Sequence, residues 1–241
     1  MYETIFNFCK ETACDFSLAV DVGCGSGQST VPLAAYFDKV IGVDVSESQI
    51  AKAPTDIPNL CFRVGPAEDL SFLEDASADL VTVAQAMHWM DVGKLYPEVQ
   101  RVLRPGGSFV SFGYGLVTSD EQVIQDVFDH FYDYILGQYW YGGREKVREH
   151  YRGYSLPFPD WRRNDSLRME RTWSVDHVIG YLISSSGWHQ YLADNPESKA
   201  MEEIRNRLRQ ACRSGGQTET ERLVKVRWPV FMLMGHKPLR N

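Results

Sequence analysis

Long apolar runs are missing: no stretch approaches the ~20 residues a membrane-spanning helix requires, so no membrane association is expected. Positive charge is also short. Lys and Arg number 25 against 32 Asp and Glu, a net charge of −7. That balance argues against a nucleic-acid binder or a polybasic anchor, since phosphate neutralisation needs clustered cations. The five cysteines (Cys9, Cys14, Cys24, Cys61, Cys212) are odd in number and contain no Cys-x-x-Cys pair. They read as reduced thiols packed like small hydrophobes, neither a disulfide framework nor a zinc site. No His/Cys/Asp cluster has metal-ligand spacing, so no metal is expected. The N-terminal residues carry acids and lack the basic, apolar, small-residue order of a secretory signal. A cytoplasmic protein, monomer or homodimer, is the expectation.

What is present is an ordinary globular composition, 44% hydrophobic and 24% charged over 241 residues, enough for a substantial core. Five short runs rich in β-branched residues alternate with helical patterns: Leu18–Val22, Lys39–Asp44, Leu60–Val64, Asp79–Ala84 and Ser108–Phe112. Helical spacing covers Gly27–Phe37, Ser46–Ala53 with Ser46 as cap, and Lys94–Leu103, which stops at Arg104-Pro105-Gly106-Gly107. Pro32 and Pro97 fall inside two of these stretches, so those helices are expected to begin later. Strands alternating with helices predict right-handed crossovers and a mostly parallel α/β sheet. From Tyr114 the pattern turns aromatic and mostly helical, and 114–195 reads as a helical insertion on the substrate side of a single domain, 1–241. Glu197–Arg213 is an amphipathic helix with Met201, Ile204 and Leu208 on one stripe. Two extended runs, Thr218–Val226 and Trp228–Met234, are expected as an antiparallel pair closing a seven-stranded sheet.

The sharpest local signal is Asp21-Val22-Gly23-Cys24-Gly25-Ser26-Gly27-Gln28. Glycines at alternate positions straight after a strand permit a tight turn and close approach of a ligand, and a helix N-terminus beyond it would offer free N–H groups. Such turns also cradle nucleotide phosphates, and one can simply be a turn that needs glycine. The spacing is Gly-x-Gly-x-Gly, shorter than the dinucleotide fingerprint. Asp44 ends the second run, 17 residues after Gly27, where a carboxylate accepts from both hydroxyls of a free ribose.

Several motifs in register resemble the class I methyltransferases that use S-adenosylmethionine: Asp21 with Gly23, Gly25 and Gly27; Asp44; Ala67-Glu68; and Arg101-Val102-Leu103-Arg104-Pro105-Gly106-Gly107. More narrowly, Gly27-Gln28-Ser29-Thr30 and Ala86-Met87-His88-Trp89-Met90-Asp91 resemble the small-molecule branch that includes trans-aconitate methyltransferase. The resemblance implies a Rossmann-like fold, S-adenosylmethionine as cofactor with S-adenosylhomocysteine as product, and a small-molecule acceptor. It places Gly23, Cys24, Gly25, Gly27 and Gln28 along the methionine part of the cofactor. Asp21 steadies the turn or meets the cofactor's amino group, Asp44 holds the ribose with Val45 beside it, and Ala67 and Glu68 lie by the adenine. Where relatives carry an acid two residues before that glutamate, this chain has Pro66, leaving Glu68 or Asp69 to accept from the adenine amine. Gln85 and Ala86 face the sulfonium side.

In the same reading His88 is a base or an acceptor-orienting donor, or else it caps the helix that follows while Trp89 packs beneath. Trp89, Tyr141 and Arg144 are the candidate acceptor contacts, the arginine as a clamp for an acidic molecule. After the fourth strand the chain reads Gln85-Ala86-Met87-His88 in place of the Asn/Asp-Pro-Pro-Tyr/Phe of many amine methylators, which favours an oxygen acceptor, carboxylate or hydroxyl. A cofactor-binding pseudoenzyme and a protein methyltransferase are the alternatives. Only 17 residues precede Leu18, so cover over the methionine end is expected to be curtailed, with Tyr2–Cys9 as a short helix on the sheet.

Overall fold

Strands buried on both faces of a parallel sheet need largely apolar side chains, and four of the five runs, all but Leu60–Val64, meet that demand. The computed structural model describes residues 1–12, 14–139, 143–214 and 223–239. Its elements run α1 (Tyr2–Lys10), β1 (Leu18–Val22), β2 (Lys39–Asp44), α2 (Glu47–Ile50), β3 (Leu60–Val64), β4 (Ala78–Ala84), α3 (Val92–Val102) and β5 (Leu103–Tyr114). Then follow α4 (Gln122–Asp129), α5 (Arg144–Arg148), β6 (Arg162–Asn164), β7 (Arg168–Ser174), α6 (Val175–Ile183), α7 (Ser186–Asp194), α8 (Ala200–Ser214) and β8 (Leu223–His236). The sheet order is β3-β2-β1-β4-β5-β8-β6, with β7 paired to β8. Strands β1 to β5 are parallel, and β8 is antiparallel to β5, β6 and β7. This is the expected Rossmann-like α/β sheet with one strand more, eight instead of seven.

One unit comprises 1–114, 149–167 and 230–241. Its sheet buries Val20, Val22, Ile41, Val43, Leu80, Val83, Phe109 and Val110. The strand order reverses between β1 and β4, so the crevice at their carboxyl ends, where the Gly23–Gly27 turn and Gln85 lie, is where such sheets bind ligands. The Arg101–Gly107 run is an anchor. The Arg101 guanidinium grips both oxygens of Glu98, each at 2.8 Å, and donates to the Leu70 and Leu73 carbonyls, pinning the loop after β3. Arg104 pairs at 2.5 Å with Asp79, whose other oxygen receives the Ser17 and Leu18 amides at the head of β1.

The second unit comprises 115–148 and 168–229. It has its own core, including Phe128, Phe131, Ile179, Leu182, Trp188, Ile204, Leu208 and Trp228. Ser174 and Ser185 cap α6 and α7 by accepting the amides of His177 and Trp188, and a π-helical turn, His130–Ile135, continues α4.

The differences from the sequence expectation have local causes. After the glycine turn there is only a 3-10 turn, Val31–Ala35, with Pro32 in its first positions. α2 is a single turn, capped by Ser46 as expected but ending at Ile50. α3 starts at Val92, capped by Asp91, and carries Pro97 inside. The bond that proline forfeits is outweighed by burial of Leu95, Val99 and Val102. The two C-terminal runs are one strand through Arg227, with nothing resembling a hairpin turn between them; residues 218–222 of the first run lie outside the described residues. α8 begins at Ala200, three residues later than read. The aromatic stretch contains β6 and β7 as well as helices, with β7 paired antiparallel to β8 from Arg168 opposite Pro229 to Ser174 opposite Leu223. All five cysteines are free, as expected. Cys61, however, is exposed on edge strand β3 and Cys14 is half-buried, so neither is a core hydrophobe. The neighbouring Cys9 lowers the Cys14 thiol below the ordinary cysteine range.

Candidate functional site

The turn after β1 is stitched to β2. The amides of Gly23 and Cys24 donate to the Val43 carbonyl at 2.8 and 3.1 Å. Gly23, Gly25 and Gly27 all have positive φ, at 70, 55 and 88°, a region that glycine enters at little cost. Their environments differ. A Cβ on Gly23 would strike Ala86 and Met90, and one on Gly27 would strike the Phe62 ring at 2.5 Å. Gly25 faces open space, with nothing within 4 Å. Gly27 thus makes room for Phe62, while Gly25 leaves room for something else.

Asp21 steadies the turn and does not present itself to a ligand. It is wholly buried. One carboxylate oxygen accepts from the Ser29 and Thr30 hydroxyls, and the other from Thr82, all at 2.7 Å. Burial raises its pKa, against the pull of those three hydroxyls. Asp44 is the half-buried counterpart. Its Oδ2 accepts the Gly25 amide and its Oδ1 the Ser46 amide, each at 2.8 Å, which fixes the carboxylate and leaves further lone pairs on each oxygen. Val45 beside it is 68% exposed. Cys24 is buried and its thiol is pushed up to about 12, mainly by burial, so it is inert packing. Gln28 is exposed.

Tyr2 was not singled out from the sequence. Its hydroxyl donates to the Ser29 carbonyl at 3.1 Å and its ring meets Phe112 edge-on, so α1 does reach the glycine turn. Ala67 is buried. Glu68 accepts the Asp91 amide at 2.8 Å, and Asp69 accepts the Ser71 amide. Each carboxylate retains an oxygen for another donor.

Beyond β4, Gln85 holds a left-handed φ of 52°, a strained state that persists where the surroundings enforce it. Its side chain does the enforcing, receiving the Tyr114 amide at 2.9 Å and donating to the Tyr114 carbonyl at 3.1 Å. The Gln85 side chain therefore ties β4 to β5, and only its backbone remains to face a ligand. Ala86 packs against Gly23. His88 is no helix cap: Asp91 caps α3, and His88 Nδ1 lies 2.7 Å from the Tyr151 hydroxyl. Trp89 is 69% exposed and so does not pack beneath; its ring lies 4.9 Å from that of His88. Tyr151, another residue the sequence did not flag, is fully buried. Tyr141 and the Arg144 side chain lie outside the described residues. Among the described residues no group of three or more His, Cys, Asp or Glu could hold a metal ion, and no helix is long and apolar enough to cross a membrane.

The open face at Gly25, the anchored acceptor Asp44 and the exposed Val45 fit a ligand with a ribose and an apolar ring system. Similarity to known proteins points the same way. A family model described as a methyltransferase domain matches residues 20–111. A Dictyostelium discoideum protein named as a methyltransferase is 35% identical over 243 residues, covering 98% of this chain and 88% of that protein. A Saccharomyces cerevisiae protein named as an S-adenosylmethionine-dependent methyltransferase is 35% identical over 101 residues, 39% of this chain and 35% of that one. Among solved structures, one from Anaeromyxobacter dehalogenans described as a type II methyltransferase matches with a TM-score of 0.83 and 34% identity, over 98% of this chain and 97% of that one.

Proposed function

Because the chain belongs to the class I S-adenosylmethionine-dependent methyltransferases, we propose that it moves a methyl group from that cofactor to an oxygen, carboxylate or hydroxyl, of a small molecule. The observation that carries the reading is the pairing of Gly25, open on its ligand side, with Asp44, which holds the Gly25 amide. In this reading Asp44 accepts from the ribose hydroxyls, Val45 packs on the adenine, and Glu68 or Asp69 takes the adenine amine. The Gly23–Gly27 backbone lines the methionine part. When bound, the cofactor supplies a methyl group already activated by a positively charged sulfur. The chain's own task is then to align the acceptor oxygen and keep water out.

The absence of an Asn/Asp-Pro-Pro-Tyr/Phe run after β4 supports oxygen over nitrogen, and the His88-Trp89 pair supports the trans-aconitate-like branch. Acceptor selectivity we assign to the aromatic-rich stretch 114–195. The test is a panel of carboxylic acids and phenols incubated with enzyme and S-adenosylmethionine and read by mass spectrometry. A methyl ester or ether formed in step with S-adenosylhomocysteine is expected. Cofactor binding with no product across the panel would overturn the enzyme reading in favour of a binding protein.

A further inference from the structure

The contact between His88 and Tyr151 is built with some effort. His150 and Tyr151 are consecutive non-glycine residues with φ of 54 and 58°, a left-handed conformation that persists where the surroundings enforce it. Arg163 holds the strained turn. Its guanidinium donates to the His150 carbonyl at 2.5 Å while gripping both oxygens of Asp165. Phe231 stacks under His150 and meets Tyr151 edge-on, at 5.2 and 4.9 Å between ring centres. The result delivers one buried hydroxyl to one imidazole nitrogen.

Two proton arrangements fit the 2.7 Å contact. If the Nδ1–H donated to the phenol, the phenol hydrogen would need a second acceptor, and a fully buried residue has no water to offer one. Among the described residues, Tyr151 makes no other hydrogen bond to an acceptor. That leaves Nδ1 as the acceptor of the hydroxyl hydrogen.

We infer that Tyr151 donates to Nδ1 and so fixes neutral His88 as the Nε2–H tautomer, making His88 a hydrogen-bond donor to an acceptor oxygen and not a general base. The inference rests on the proposed methyl transfer and sharpens it toward carboxylate acceptors. A carboxylate is nucleophilic without deprotonation, so a neutral donor can hold one oxygen while the other attacks, and no proton changes hands. A hydroxyl acceptor would need the lone pair that this tautomer removes from Nε2. Tyr151 is the positioning residue, acting through His88.

Ring-nitrogen NMR of uniformly 15N-labelled protein above the imidazole titration range tests this, with the His88 signals assigned by their loss in His88→Gln. The protonated nitrogen is expected to be Nε2 in the wild type, with Tyr151→Phe shifting the ring toward a mixture of tautomers. An Nδ1–H wild type, or no change in Tyr151→Phe, would overturn the inference. With a carboxylic acid that turns over, His88→Gln, whose amide still donates, should stay within about tenfold of wild type, while His88→Ala loses about 100-fold. Equal losses in both would indicate a base and contradict the inference. If no acceptor is methylated, the functional reading fails separately, because the tautomer is read without turnover.

Discussion

Asp44→Ala is expected to weaken S-adenosylmethionine binding by about 100- to 10,000-fold. In the proposed arrangement the carboxylate accepts from two ribose hydroxyls, and hydrogen bonds to a charged group contribute about 1.5–3 kcal/mol each, with every 1.4 kcal/mol worth a factor of ten. The substitution also releases the Gly25 and Ser46 amides that Asp44 now holds at 2.8 Å, loosening the turn on the face where the ligand lies. Asp44→Asn keeps one acceptor oxygen and should fall between the two. Titration calorimetry measures this directly. A dissociation constant within threefold of wild type in Asp44→Ala would remove the ribose assignment.

The second large effect concerns stability. Asp21→Ala strands the hydroxyls of Thr30 and Thr82, both buried, and of Ser29. An unsatisfied buried donor costs about 1–3 kcal/mol. Removing a desolvated carboxylate returns part of that, so a net loss of about 2–4 kcal/mol is expected, seen as a lower urea midpoint with an unchanged slope. The pH dependence has a definite sign. Burial raises the folded-state pKa of Asp21 above its unfolded value, so between the two the folded state holds a proton the unfolded state has lost, and stability falls as pH rises through that interval. Asp21→Asn has no such proton. The difference in stability between wild type and Asp21→Asn should therefore shift against the wild type as pH rises from near 4. A difference that shifts toward the wild type would mean that the three hydroxyls outweigh burial.

The inner strands of the parallel sheet were legible because they are buried on both faces, whereas β3, at the edge, is mostly exposed. β1, β2 and β3 coincide with the apolar runs that predict them, and β4 begins one residue early. Where burial is slight the signal weakened: β7 is largely exposed, carries charged residues and hides inside an aromatic stretch with helical spacing. The glycine turn and Asp44 were readable because backbone geometry demands specific residue types there. The individual roles within that turn were not. That Gly27 seats Phe62 while Gly25 stays open depends on β3 lying beside β2, which no local pattern encodes. Gln85 looked like a pocket residue by position, yet its amide is consumed by the Tyr114 backbone 29 residues away. Tyr151 lies 63 residues from His88, and only the tertiary fold brings the phenol to the imidazole.

The account stands first on cofactor binding, and calorimetric titration of the wild-type protein with S-adenosylmethionine, and separately with S-adenosylhomocysteine, tests it most directly. Binding of both in the micromolar range, one ligand per chain, is the predicted result. Absence of binding by either would contradict the assignment of Gly25 and Asp44, and would leave a methyltransferase fold that does not use its family's cofactor.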